Sequence, residues 1–176
     1  MAAGLLMAIA SAVLQLALEL DPALDRVFAI VNRVLCRTGD RRAFMSLFFS
    51  VLDPATGVLD YVCAGHPFPL LRRPSGESIE LGTGGLPLGI REAVELVTGS
   101  ARLGPGDTLL LYSDGLPEAI DRAGREFGFE RLRTLLTPGG GPETVHARVI
   151  AALEEHLGGE TPQDDVSVLV VQRATG

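Results

Sequence analysis

The hydrophobic positions at the start of the chain predict two helices in succession. Residues 2–18 are apolar on all sides and rich in Ala, Leu and Met, which favours a buried helix. Asp21 and Pro22 suit the cap and the first turn of a second helix, which we predict to end near Cys36. Because the first run carries no basic segment, we expect neither an export signal nor a membrane span.

Short apolar runs separated by turn residues begin at residue 44 and predict β-strands. Residues 44–52 and 58–63 flank an Asp-Pro-Ala-Thr-Gly turn and predict a β-hairpin. Later segments predict strands over residues 69–72, 78–81, 94–97, 108–112 and 166–171 and helices over residues 129–136 and 143–157. Helices first, then antiparallel strands, then helices and a final strand indicate an α+β layered fold and not a parallel βαβ repeat.

The composition is that of one folded domain over residues 1–176. Hydrophobic residues make up 47% and charged residues 21% of the chain, which is more apolar than disordered chains are. The net charge is −7 and there is no run of Lys or Arg, so we expect no nucleic-acid partner. Cys36 and Cys63 lack the spacing of a disulfide framework or a zinc site, and we therefore expect a reducing cytoplasm.

Acidic residues stand at the borders of two predicted buried strands. Asp114 directly follows one of them, and Asp164 and Asp165 directly precede the last one. A carboxylate beside a core costs desolvation energy unless a positive charge offsets it, and a metal ion would do so. Oxygen ligands select Mg²⁺ or Mn²⁺, and Gly115 leaves room beside Asp114. The spacing alone leaves open a second interpretation, in which these aspartates only cap turns.

Other polar residues are weaker candidates for a site. Ser113 lacks the Gly-x-Ser-x-Gly context of a nucleophile elbow. His66 stands alone at a turn, where a structural hydrogen-bonding role is the more common one. His146 and His156 fall on the late predicted helix, for which a solvated face is expected. The glycines of residues 82–85 are not followed by the Lys and Ser or Thr of a phosphate-binding loop.

The order of the sequence motifs resembles the SpoIIE/RsbU branch of the PPM phosphatases. The motifs are FMSLF at 44–48, DPxTG at 53–57, YVCAGHPxPLL at 61–71, GLPLG at 85–89, GDTLLLYSDGLPEA at 106–119, FGxERL at 127–132 and DDVS at 164–167. The resemblance covers essentially the whole chain. It implies an α-β-β-α sandwich with a binuclear Mn²⁺ or Mg²⁺ centre between two sheets.

The resemblance also implies an activity and its site residues. Asp114 and Asp164 match metal-binding aspartates of the family, with Asp165 as an adjacent candidate, and the motif around His66 is similar to a structural part of the family hairpin. The implied reaction is hydrolysis of phosphoserine or phosphothreonine by a metal-activated water. The implied substrate is a phosphorylated STAS-domain anti-anti-sigma protein of bacterial partner switching.

The chain departs from the family pattern at the amino terminus. The family carries a metal-bridging Asp in a Gly-Asp-Val-Ser-Gly-His-Gly-like segment before the first long helix, whereas residues 1–8 resemble the family residues immediately after that segment. We therefore expect a fold that is incomplete at this end, with weak or no activity. Uncovered sheet edges and apolar surface would favour a homodimer. The alternative function is a catalytically inactive remnant that acts as a regulatory protein-binding module.

Overall fold

The computed structural model describes residues 3–20, 23–38, 44–137 and 139–175. The elements in chain order are α1 (Ala3–Leu20), α2 (Leu24–Thr38), β1 (Leu47–Leu52), β2 (Val58–Ala64), β3 (Leu70–Arg72), β4 (Ser78–Glu80), β5 (Val97–Arg102), β6 (Thr108–Tyr112), α3 (Phe129–Leu135), α4 (Pro142–Leu157) and β7 (Val168–Gln172). The chain divides into two compact units, the first over residues 1–54, 58–66 and 82–101 and the second over residues 55–57, 67–81 and 102–176. Helices and antiparallel sheets in this order confirm the predicted α+β fold class. The start of the second helix predicted at Asp21 and Pro22 lies outside the described residues.

The first unit consists of helices α1 and α2 and a three-stranded sheet. Its strand order is β1-β2-β5, and β1 and β2 form the predicted antiparallel hairpin, with Leu47 opposite Ala64. Helix α2 is strongly amphipathic, and Val27, Phe28 and Val31 are fully buried in the core that it shares with the sheet. The predicted hairpin and second helix are thus confirmed.

Two expectations for this unit need correction. Helix α1 is not buried on all sides, because Met7 is 58% and Leu20 is 78% exposed while Leu6 and Ala10 pack on the core. The strand predicted at 94–97 forms instead at Val97–Arg102. Glycine and serine have low strand propensity, so the sequence did not indicate this strand. Pairing in the sheet overrides that local preference.

The second unit contains a four-stranded sheet in the order β4-β3-β6-β7, whose neighbouring strands are all antiparallel. Helices α3 and α4 bury Leu132, Val149 and Leu153 in one core with Leu110 and Leu116. The predictions of strand β6 and of both helices are confirmed, with ends that differ by one residue at most. Strand β7 begins two residues later than predicted, at Val168. The described part of the chain contains no helix that combines the length and the apolar character needed for a membrane span.

The register of β6 and β7 determines which polar segments meet. Thr108 lies opposite Gln172, and Tyr112 lies opposite Val168. The chain therefore leaves β6 at the same edge of the sheet at which it enters β7. This pairing places residues 113–115 beside residues 164–167, although about fifty positions of sequence separate them.

Candidate metal centre

Residues 113–115 and residues 164–167 form two acidic segments, called the first and the second acidic segment. Ser113 joins them through its backbone and its hydroxyl group. The backbone N–H of Ser113 donates to the carbonyl oxygen of Ser167 at 3.0 Å, which continues the ladder of β6 and β7 beyond the strands. The hydroxyl of Ser113 donates to the carbonyl oxygen of Asp165 at 2.9 Å and accepts from the backbone N–H of Ser167 at 2.9 Å. A hydroxyl can do both at once because it is donor and acceptor. Ser113 is therefore a connector between the segments, a role that its sequence context did not indicate.

Gly115 allows the backbones of the two segments to approach closely. A Cβ atom at this position would lie 2.6 Å from the carbonyl oxygen of Asp165 and 3.2 Å from that of Asp164. Both neighbours are backbone atoms, which cannot swing aside as a flexible side chain can. The glycine expected to leave room beside Asp114 is thus buried against the second acidic segment.

The three predicted ligands lie exposed around this junction. Asp114 accepts a hydrogen bond from the N–H of Gly115 at 3.1 Å through its Oδ1 atom. Asp164 accepts one from the N–H of Asp165 at 2.7 Å in the same way. Each of these bonds engages the Oδ1 atom of its carboxylate, and Asp165 also faces solvent. The structure thus brings the acidic segments of the prediction to one edge of one sheet.

The donor chemistry of this edge fits a hard divalent cation, because its side-chain ligands are carboxylate oxygens. Within the part of the chain that the structure describes, however, no group of three or more His, Cys, Asp or Glu side chains is placed to hold a metal ion. Asp114, Asp164 and Asp165 therefore fit as part of a ligand set and do not form a complete one.

His66 and its neighbours lie in the first unit and form a packed turn. The thiol of Cys63 donates to the carbonyl oxygen of His66 at 3.5 Å, and burial raises the pKa of that thiol. Gly65 has a φ of +65°, and a Cβ there would lie 2.4 Å from the ring of Pro87. A buried thiol with a raised pKa is a poor nucleophile, whereas the structural role expected of His66 stays a prediction.

The expectation of a solvated face holds for His146 and is wrong for His156. His146 is exposed on α4, whereas His156 is partly buried in the last turn of the same helix. Its Nε2 atom lies 3.1 Å from the carbonyl oxygen of Ala119 and 3.0 Å from that of Arg125. Both acceptors belong to the loop that contains Asp114. Sequence periodicity could not find this contact, because it depends on how a distant loop folds back onto the helix.

Comparison with known proteins decides the family. The family model described as Stage II sporulation protein E (SpoIIE) matches residues 1–174. The chain belongs to the SpoIIE family. This confirms the resemblance to the SpoIIE/RsbU branch of the PPM phosphatases that the order of motifs indicated.

A curated relative supports the assignment to the SpoIIE family. Protein IcfG of Synechocystis sp. is 30% identical over 136 residues, which cover 77% of this chain. The match spans only 22% of IcfG. The activity and partners of such a longer protein therefore do not transfer directly to this chain.

Solved structures support the fold of this SpoIIE-family chain. The SiaA-PP2C domain of Pseudomonas aeruginosa has a TM-score of 0.78 at 22% identity, covering 96% of this chain and 69% of that one. The RsbU and RsbW domains of a Mycobacterium tuberculosis protein give 0.69 at 23% identity, covering 96% and 47%. The phosphatase domain of SpoIIE from Bacillus subtilis, presoaked with Mn, gives 0.65 at 19% identity, covering 92% and 72%. At these identities, the likeness shows a PP2C-type phosphatase fold.

Proposed function

We propose that this chain acts as a metal-dependent protein serine/threonine phosphatase. The observation that carries the proposal is the junction at the edge of the β6–β7 pair, where Ser113 and Gly115 join Asp114 to the segment of Asp164. Family membership supports the same reaction class, because a PP2C-type fold is the fold of a phosphatase. The specificity for phosphoserine and phosphothreonine comes from the resemblance in the sequence motifs.

We infer that Asp114 and Asp164 are oxygen ligands of Mn²⁺ or Mg²⁺, with Asp165 as a further candidate. A bound metal ion of this kind lowers the pKa of a water molecule and binds phosphoryl oxygens. The contribution of the chain itself is to hold the carboxylates in place. The close approach at Gly115 and the two hydrogen bonds of the Ser113 hydroxyl fix the segments against each other before any metal binds.

The substrate that we propose is a phosphorylated STAS-domain anti-anti-sigma protein. The resemblance to the SpoIIE/RsbU branch supports this choice, and so does the Mycobacterium tuberculosis protein in which an RsbU domain occurs together with an RsbW domain. A homodimer stays a prediction, to which the exposed apolar side chains of Met7, Leu16 and Leu20 on α1 lend support.

The decisive experiment measures phosphate release from a phosphoserine protein with and without Mn²⁺. We expect Mn²⁺-dependent release that Asp114→Asn or Asp164→Asn lowers about a hundredfold, since even residues behind the ligands change activity by up to that factor. Asp60→Asn is the matched control, because Asp60 is an exposed aspartate of β2 in the first unit. Full activity in Asp114→Asn would refute the assignment of the site.

A second candidate function is a regulatory module that binds its partner without catalysis. The incomplete ligand set among the described residues favours this alternative. It predicts no phosphate release at any Mn²⁺ concentration together with measurable binding of the STAS-domain protein by calorimetry. The expectation of weak activity stays a prediction that the same assay tests.

A further inference from the structure

The loop between β6 and α3, residues 113–128, contains Asp114 near its start and is held by side chains that come much later in the chain. Two of its internal bonds run from Glu118 N–H to the Asp114 carbonyl oxygen at 3.0 Å and from Phe127 N–H to that of Ala119 at 2.8 Å. These bonds give the loop a shape, but they do not connect it to the segment of Asp164.

Gln163 supplies one such connection, and it directly precedes Asp164. Its Oε1 atom accepts from the N–H of Ile120 at 3.0 Å, and its Nε2 atom donates to the carbonyl oxygen of Ile120 at 3.4 Å. A primary amide can bond both groups of one backbone residue because its donor and its acceptor are attached to the same carbon. The two bonds define the position of Ile120 relative to the second acidic segment.

His156 supplies the other connection, from the last turn of α4. Because two carbonyl oxygens face its Nε2 atom, that nitrogen carries the hydrogen. Its Nδ1 atom lies 3.3 Å from Nη1 of Arg131 and accepts from that guanidinium. The ring also packs edge-on against Phe127, with 5.4 Å between centroids, and the Arg131 guanidinium lies 4.8 Å above the Phe127 ring. Contacts with four different residues thus fix the orientation of one imidazole.

We propose that Gln163 and His156 are positioning residues of the metal centre. Gln163 lies in the connection between α4 and β7 that also contains Asp164, and it holds Ile120. His156 lies in the last turn of α4 and holds Ala119 and Arg125. Through these contacts the two side chains hold the loop that contains Asp114. The proposal rests on the proposed function, since it assumes that these two aspartates bind one metal centre. Ser113 and Gly115 hold the loop at its amino-terminal end, whereas Gln163 and His156 hold it at residues 119–125.

The experiment compares Mn²⁺ affinity, measured by electron paramagnetic resonance of the free ion, in Gln163→Ala, His156→Ala and His156→Gln. We expect Gln163→Ala and His156→Ala to raise the dissociation constant about tenfold, the range seen for residues that orient ligands. We expect His156→Gln to regain part of the affinity, because an amide can still donate to the carbonyl of Ala119. Gln163 is exposed, so its variant is expected to keep a near-normal melting temperature.

Matched controls and a second measurement separate positioning from general destabilisation. His146→Ala changes an exposed histidine of the same helix, and Thr161→Ala changes an exposed residue of the same connection. Neither control should change Mn²⁺ affinity. In nuclear magnetic resonance spectra of the metal-free protein, the amide signals of Asp114 and Gly115 should shift in Gln163→Ala and stay unchanged in both controls.

The outcomes distinguish this inference from the proposed function. Normal Mn²⁺ affinity and unmoved Gly115 amide signals in Gln163→Ala overturn the positioning role, whatever the activity of the protein. Absence of phosphate release from the unchanged protein overturns the proposed function instead. In a protein that bound no Mn²⁺, the shift of the amide signals alone would decide whether Gln163 positions the loop.

Discussion

The backbone carbonyl of Asp165 occupies the space that a side chain at position 115 would need. A Cβ on Gly115 would lie 2.6 Å from that carbonyl oxygen and 3.1 Å from its carbon. Gly115→Ala must therefore push the two acidic segments apart. We expect a loss of about 1–3 kcal/mol in the free energy of unfolding, as for other overpacked sites, and weaker Mn²⁺ binding.

Urea unfolding and Mn²⁺ titration measure these two effects. Gly4→Ala is the control, because nothing lies within 4 Å of a Cβ at Gly4 in helix α1. That substitution should stabilise the helix by up to about 1 kcal/mol. Equal stability of Gly115→Ala and the unchanged protein would mean that the junction is looser than these distances imply.

Loss of the Ser113 hydroxyl should disconnect the same junction without adding volume. In Ser113→Ala, the carbonyl of Asp165 and the N–H of Ser167 lose their partner, which costs about 1–2 kcal/mol. Ser113→Thr keeps a hydroxyl and should retain most of the stability. Ser167→Ala is the control, since Ser167 bonds to Ser113 through its backbone. Thermal unfolding of all three variants tests this order of stability. A Ser113→Thr protein as unstable as Ser113→Ala would contradict the proposed role of the hydroxyl.

Asn32 should be essential to the first unit, although it is a polar residue in an apolar helix face. It is fully buried on α2, donates from Nδ2 to the carbonyl oxygens of Arg91 at 2.8 Å and Glu92 at 3.1 Å, and accepts from Gly89 N–H at 2.8 Å. Asn32→Ala leaves three backbone groups without this partner, and we expect a loss of about 2–3 kcal/mol in unfolding free energy.

Denaturant unfolding of Asn32→Ala beside Arg33→Ala, an exposed position on the same helix, tests this expectation. The control should stay within about 0.5 kcal/mol of the unchanged protein. Similar losses of stability in both variants would show that the loss does not come from the hydrogen bonds of the Asn32 side chain.

Alkaline pH should destabilise the second unit through Tyr112. Burial, with a further contribution from the Glu80 carboxylate, raises the pKa of Tyr112 from 10.0 to about 12, and its hydroxyl donates to the carbonyl oxygen of Phe68 at 3.0 Å. The folded state thus keeps this proton longer than the unfolded state does. The resulting stability is complete below pH 10.0 and is lost as the pH rises toward about 12.

The comparison of unfolding free energies in the unchanged protein and Tyr112→Phe tests this linkage. Tyr112→Phe should be about 1 kcal/mol less stable near neutral pH, because the Phe68 carbonyl loses its donor. The difference between the two proteins should shrink as the pH rises from the unfolded to the folded pKa of Tyr112. A stability difference that does not change with pH would show that the pKa of Tyr112 is the same in the folded and the unfolded state. The contribution of Tyr61, whose pKa burial also raises, is common to both proteins and cancels.

The sequence by itself determined the family, the α+β class and most of the elements. The continuous apolar run of residues 108–112 and the amphipathic pattern of α2 predict burial directly. Burial of apolar side chains is favourable, so these side chains recur with the period of the helix or strand that buries them. Asp114 and Asp164 could be proposed as metal ligands from their places at strand ends together with the family motifs, since the spacing alone also allowed turn caps. The strand at Val97–Arg102 could not be placed, because its polar residues and Gly99 carry little local preference for a strand.

Tertiary structure alone decided which distant groups meet. The register of β6 and β7 brings Asp114 beside the segment of Asp164, and the fold of the intervening loop turns His156 from an expected surface residue into a contact of Ala119. Such contacts depend on the direction of single hydrogen bonds across long stretches of chain, and no periodic pattern encodes them. The residue types of the proposed metal centre can therefore be predicted from the sequence, whereas their arrangement is a property of the folded chain.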